Sequence, residues 1–326
     1  MWCNQVPTIR LSQPLIRLPI KRPASQSSQV DRVMALRTPP LLEAHLRLPH
    51  ETSLILLSGV LGSSTNWLVH RYLYSLLASA PSSTSDAASS LSGLERQHGD
   101  ESVKTHTAVS VVLVSFLRDY GFWKEGSRRL GLDLDLAIKK RSFAFVDGLT
   151  GLFVPATGNG STQIPGIRVL TAATTENFRR TVENAVVEVQ RGVPETQTLI
   201  IIDQPDLLLA ASSEAVSSQS LRDAIMDLRE KVHSCIITVS ADEPLISAHS
   251  STLEKEHASL ALSLAHDADL IISLRNLETG VAKDVSGVLR ITPGGDNDET
   301  GTAIEERELL YHIGGDGGVR VFGRGQ

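Results

Sequence analysis

Residues 53–66 read Ser-Leu-Ile-Leu-Leu-Ser-Gly-Val-Leu-Gly-Ser-Ser-Thr-Asn. A short apolar run closed by glycine marks a strand buried on both faces. Beyond it Leu68, Tyr72, Leu76 and Ser79 recur at intervals of three or four, with Thr65 or Asn66 placed to cap a helix. Strand, glycine-bearing turn and helix are the setting of a phosphate-binding loop.

A working loop of that type reads G-x-x-x-x-G-K-[ST]. Its amides cradle phosphate, its lysine neutralises the β- and γ-phosphates, and its hydroxyl holds magnesium. Counted from Gly59, the second glycine falls on Ser64, the lysine on Thr65 and the hydroxyl residue on Asn66. Residues 58–67 contain no Lys or Arg. The segment Gly59, Gly62, Ser63, Ser64, Thr65, Asn66 is therefore expected to be a degenerate loop. Its helix N-terminus attracts an anion only weakly, and Gly59 and Gly62 serve the turn sterically. The second half of such a site would be a carboxylate at a strand end. Leu199-Ile200-Ile201-Ile202-Asp203 fits that Walker-B-like pattern, although many buried strands end in Asp to begin a turn.

Further strands are expected at 109–116, 142–146, 199–203, 235–239 and 269–274. Helices are expected at 177–191 (Phe178, Val182, Val186 and Val189 on one stripe), 220–233 and 252–266. Such alternation predicts an α/β fold with a mostly parallel central sheet. The segments 285–292, 308–313 and 319–323, separated by Pro293-Gly294-Gly295 and Gly314-Gly315-Asp316-Gly317-Gly318, predict a C-terminal β-meander. Residues 155–166 are too rich in Pro and Gly for regular structure.

Residues 1–34 are Arg- and Ser/Gln-rich, carry Pro7, Pro14, Pro19 and Pro23, and end at a second methionine, Met34. They read as a disordered extension with some likeness to a transit peptide. The domain proper is placed at 35–326, with a serine-rich disordered insertion at 81–107 and an acidic loop at 294–307.

The chain of 326 residues is 41% apolar but only 4% aromatic, so an aliphatic core is expected. Its net charge is −6, and residues 1–33 hold five basic residues and one acid, which leaves 26 basic against 36 acidic residues in the body. Such a body does not draw nucleic acid by its overall field; a local basic patch would be needed. Lys139-Lys140-Arg141, Arg128-Arg129 and Arg179-Arg180 are candidates, each also readable as a solvated face. The two cysteines, Cys3 and Cys235, imply no disulfide framework, and Cys235 reads as a small buried hydrophobe. No apolar stretch approaches the ~20 residues of a membrane span. No metal spacing, nucleophile elbow or aromatic–basic platform is visible.

Taken in order, several segments resemble the Elongator complex protein 6 family, of fungal type. They are Leu54–Val60 with Asn66-Trp67, Val114-Ser115-Phe116-Leu117-Arg118-Asp119 with Phe122-Trp123, Phe145–Leu149, Ile201-Ile202-Asp203-Gln204-Pro205-Asp206-Leu207-Leu208, and Tyr311 to Gly325. The likeness spans about Ala35 to the C-terminus. It implies a RecA-like P-loop-NTPase fold in a non-catalytic subunit of a heterohexameric ring. That ring is shared with two paralogous RecA-like Elongator subunits and joined to the core Elongator subunits. The assembled ring binds tRNA and supports modification of its wobble uridine (U34), in cytoplasm and nucleus. In ATP-hydrolysing relatives of the fold, acidic residues follow the segment at Ser115-Phe116; Leu117-Arg118 stand there instead. Arg118 becomes a candidate inter-subunit or phosphate contact. No cofactor is implied, and any ATP belongs to ring interfaces. The alternative reading is a divergent RecA-like ATPase, mitochondrial by its basic leader, that uses Asp203.

Overall fold

The computed structural model describes residues 38–78, 108–154, 164–191, 196–247, 250–278, 280, 282–295 and 304–324. The expected extension at 1–34 and insertion at 81–107 lie outside them, as does most of the acidic loop.

β1 (Leu54–Gly59) leads into α1 (Asn66–Ala78), and β2 (Val109–Ser115) into α2 (Tyr120–Arg129) and α3 (Leu134–Lys139). β3 (Phe143–Asp147) is followed by the single turn α4 (Thr150–Phe153), and β4 (Ile167–Val169) by α5 (Thr175–Gln190). β5 (Gln197–Asp203) precedes α6 (Asp206–Ala211) and α7 (Ser218–Arg229). β6 (Ser234–Ser240) precedes α8 (Glu243–Ser247) and α9 (Thr252–Asp267). β7 (Leu270–Arg275), β8 (Gly287–Pro293), β9 (Arg307–Ile313) and β10 (Val319–Phe322) close the described chain.

The ten strands of the described residues form one sheet, in the order β10-β9-β8-β7-β1-β6-β5-β2-β3-β4. From β7 to β4 every pairing is parallel. β8, β9 and β10 add the expected meander in antiparallel pairings. Apolar side chains alternate between two cores. Ile55, Leu57, Val111, Leu113, Leu199 and Ile201 face the α1–α2–α3 side. Leu54, Leu56, Val112, Val114, Ile200 and Ile202 face the α5–α7–α9 side. Burial on both faces is why these strands read as continuous apolar runs. Cys235 packs in the second core, and burial pushes its thiol up to about 12, so it stays a thiol.

Several expectations need correction. Residues 117–141 received no element, yet they form α2 and α3. Their helical period is faint, because α2 buries only Trp123 and Ser127. Their starts are legible in hindsight: the Asp119 carboxylate accepts the Phe122 amide at 2.9 Å, and Asp133 accepts that of Leu136 at 3.1 Å. The helix expected at 220–233 starts at Ser218, capped by Ser217, and stops at Arg229. The one expected at 177–191 begins two residues earlier, behind the Thr174 cap. The acidic loop expected to reach 307 ends sooner, because Arg307 opens β9. α6 occupies residues 206–211, which received no element.

Candidate functional site

β1 lies between β6 and β7, and β6 and β7 come later in the chain, so the strand order reverses at β1. In open α/β sheets the crevice at the carboxyl ends of such strands is where ligands bind. The loop from Gly59 to Asn66 stands there, and it is closed.

Val60 and Ser63 face each other as a tight turn, the Ser63 amide donating to the Val60 carbonyl at 2.8 Å. Gly62 has φ +90°, which glycine adopts without strain. A Cβ on Gly59 would stand 2.7 Å from the Ser63 carbonyl oxygen, so only glycine lets the turn fold back on the strand. The loop amides are spent internally at three points. Leu61 donates to the Asp242 carboxylate at 2.8 Å, Ser63 to Val60, and Asn66 to the Ser64 hydroxyl at 3.2 Å. Just past β7, Asn276 clasps the turn, accepting from the Ser63 hydroxyl at 2.8 Å and donating to the Leu61 carbonyl at 2.9 Å. The Leu61 side chain is left 85% exposed at the tip. Thr65, the position counted as the lysine's, is buried against Gly59, and its carbonyl accepts the Leu68 amide as α1 begins. A carboxylate thus already holds an amide of the turn, and an incoming phosphate would meet its negative charge.

Asp203 lies in register with Ser115 on β2 and Thr238 on β6. The Ser115 hydroxyl donates to one carboxylate oxygen at 2.7 Å and the Thr238 hydroxyl to the other at 2.9 Å. Each hydroxyl then accepts a backbone amide, Ser115 from Arg118 and Thr238 from Gln204, both at 3.0 Å. Burial raises the Asp203 pKa, while the two hydroxyls and the Arg118 charge pull against it. Asp203 therefore binds three strand ends together, and both of its oxygens are engaged. Arg118 itself is exposed, its guanidinium 4.9 Å from the Phe122 ring centre.

The polar cluster runs on. Gln204 has φ +57°, unusual for a residue with a side chain. Its amide nitrogens donate to Thr238, and its side-chain carbonyl accepts the Ser240 hydroxyl at 2.7 Å. His257 contacts the Ser240 carbonyl at 2.8 Å through Nε2, and its Nδ1 lies 3.6 Å from the buried Asp206 carboxylate. Burial raises the Asp206 pKa against the opposing pull of His257.

Of the basic groups, Arg179 is held by Glu176 and Glu183, and Arg129 by Glu125. Lys139, Lys140 and Arg141 are exposed, and Arg141 shares a groove of about 320 Å³ with Arg168 and Arg191. Arg168 is paired there with Glu188 at 2.8 Å. Among the described residues no cluster fits a metal ion, and no helix is long and apolar enough to cross a membrane.

The sequence reading overlooks Asp242 and Asn276, the two residues that fasten the turn. They come just after β6 and β7, the neighbours of β1, and the ordering of the strands is what reveals them.

Comparison with known proteins agrees with this frame. The chain aligns with an archaeal KaiC-like protein, PH0186 of Pyrococcus horikoshii OT3, with a TM-score of 0.50 at 13% identity. The match covers 83% of this chain and 90% of that one, and it shows the RecA-like fold. It is 27% identical over 292 residues to an Elongator complex protein 6 homolog of Schizosaccharomyces pombe, covering 87% of this chain and 97% of that relative. To Elongator complex protein 6 of Saccharomyces cerevisiae it is 24% identical over 253 residues, covering 75% and 80%. The family model described as Elongation complex protein 6 matches residues 101–314, from just before β2 to the end of β9. With a RecA-like sheet beneath it and relatives aligned along most of their length, the chain belongs to the Elongation complex protein 6 family.

Proposed function

We propose that this chain is a non-catalytic subunit of the Elongator accessory ring. There it assembles with two paralogous RecA-like subunits and the core Elongator subunits, and supports wobble-uridine modification by helping the ring hold tRNA. Family membership carries this reading. The closed turn after β1 supports its non-catalytic half, since Asp242 holds a loop amide and Asp203 has both oxygens engaged. Exposed apolar side chains near the β4 margin, Phe153, Val154, Ile164 and Val169, favour a chain that works in an assembly. RecA-like sites lie between neighbours, so a subunit can keep the fold without a working loop of its own.

Affinity purification with mass spectrometry tests the assembly: two other RecA-like proteins should be recovered in equal amounts. The purified chain alone should show no ATP turnover above background. Asp203→Ala should lower stability in denaturant by about 2–4 kcal/mol, because two buried hydroxyls lose their acceptor, and should leave turnover by the assembly unchanged. Turnover by the isolated chain that disappears with Asp203→Ala would favour the divergent ATPase instead.

A further inference from the structure

Between α1, α2 and the β9–β10 turn lies a cavity of about 490 Å³, within the range of small-molecule sites. It shares only Asn66 with the closed loop. Its lining includes the rings of Trp67, His70 and Phe122. Arg71 also lines it, although this arginine is only 2% exposed.

The Arg71 guanidinium is poorly matched by the protein around it. Nη2 donates to the Gly317 carbonyl at 3.1 Å, and the buried Nε has no partner. Among the described residues no carboxylate forms an ion pair with it, and burial alone lowers its pKa to about 10, leaving it charged at neutral pH. The two nearby acids are engaged elsewhere: Glu125 pairs with Arg129 at 3.4 Å, and Asp316 accepts the Gly318 amide at 2.9 Å. His70 adds no competing charge, since burial and the neighbouring arginines hold it near 4. A second buried donor of the lining, the indole Nε1 of Trp67, also lacks a partner. Buried indole N–H groups normally find one, and a buried charge without a counter-ion is costly. A guanidinium with one carbonyl partner and no counter-ion, set in a cavity with aromatic walls, is what an anion with a flat body would complete. A guanidinium fork matches carboxylate and phosphate alike.

We propose that this cavity binds a small organic oxyanion, its carboxylate or phosphate group held by Arg71 and its body resting against the aromatic wall formed by Trp67 and Phe122. The site does not depend on the ring reading.

Tryptophan fluorescence of the full-length chain reads the site, because Trp67 lines it and Trp123 packs at a tilt against His70, 4.9 Å between ring centres. Benzoate and inorganic phosphate are titrated separately at low salt. At least one should change the emission saturably, and which one does so separates a carboxylate ligand from a phosphate ligand. Arg71→Met, which keeps an unbranched apolar stem and removes the charged guanidinium, should weaken that response by about tenfold or more. Arg71→Lys should fall between. Glu125→Gln, which removes a negative charge from the lining, should tighten binding, and it decides the matter if Arg71→Met fails to fold. The proposal is overturned if neither probe gives saturable change at millimolar concentration. It is equally overturned if the response is the same in folded Arg71→Met, or if Glu125→Gln leaves it unchanged.

Discussion

His70 is buried on α1, its Nδ1 3.3 Å from the Ser127 hydroxyl and its ring against Trp123. Its pKa falls from 6.5 to about 4, first through burial and then through Arg71 and Arg129. As pH drops below 6.5 the unfolded chain gains a proton that the folded chain refuses until about 4. The folded state therefore loses stability over that interval, by up to about 3 kcal/mol. The raised pKa of Asp206 works in the opposite sense, because its folded form takes up a proton first. A comparison with His70→Phe isolates the histidine. Denaturant titrations between pH 7 and 4 should show the wild type losing stability relative to the variant as acid is added. Parallel curves would mean that His70 titrates normally in the folded chain.

The meeting of α1 and α2 rests on one missing side chain. A Cβ on Gly126 would fall 2.2 Å from His70 Nε2, and His70 is too buried to swing away. Gly126→Ala should therefore destabilise the protein by about 1–3 kcal/mol despite alanine's better helix propensity. A neutral or raised melting temperature would show that α2 docks more loosely than described. The same helix shows where sequence reading fails. The central strands announce themselves, because burial on both faces leaves them uniformly apolar, as in Leu199–Ile202 and Val111–Val114. α2 fully buries Trp123 and Ser127 alone, with Tyr120 packed at the edge of the core against Phe145, so its pattern is mostly polar and only the Asp119 cap marks it. β4 is three residues long, too short to alternate visibly.

At the scale of the whole chain, a formal charge of −6 opposes contact with nucleic acid, so any phosphate contact must be local. The groove formed by Arg141, Arg168 and Arg191 is the place to test it. If the assembled complex holds tRNA there, replacing Arg141 and Arg191 with Gln should weaken binding and flatten its dependence on salt. An unchanged slope would move the contact elsewhere. The candidate site was legible in part. Gly59 and Asp203 stand at the strand ends where the sequence put them, but Asp242 and Asn276 reach the turn from segments far along the chain, and only the strand order brings them together. The sheet's two outermost members, β4 and β10, are three and four residues long, the shortest of the ten. A margin that brief offers a stranger's backbone few hydrogen bonds, so a large sheet is kept from growing by accretion onto its neighbours. Association must instead be won by side chains that recognise a particular partner.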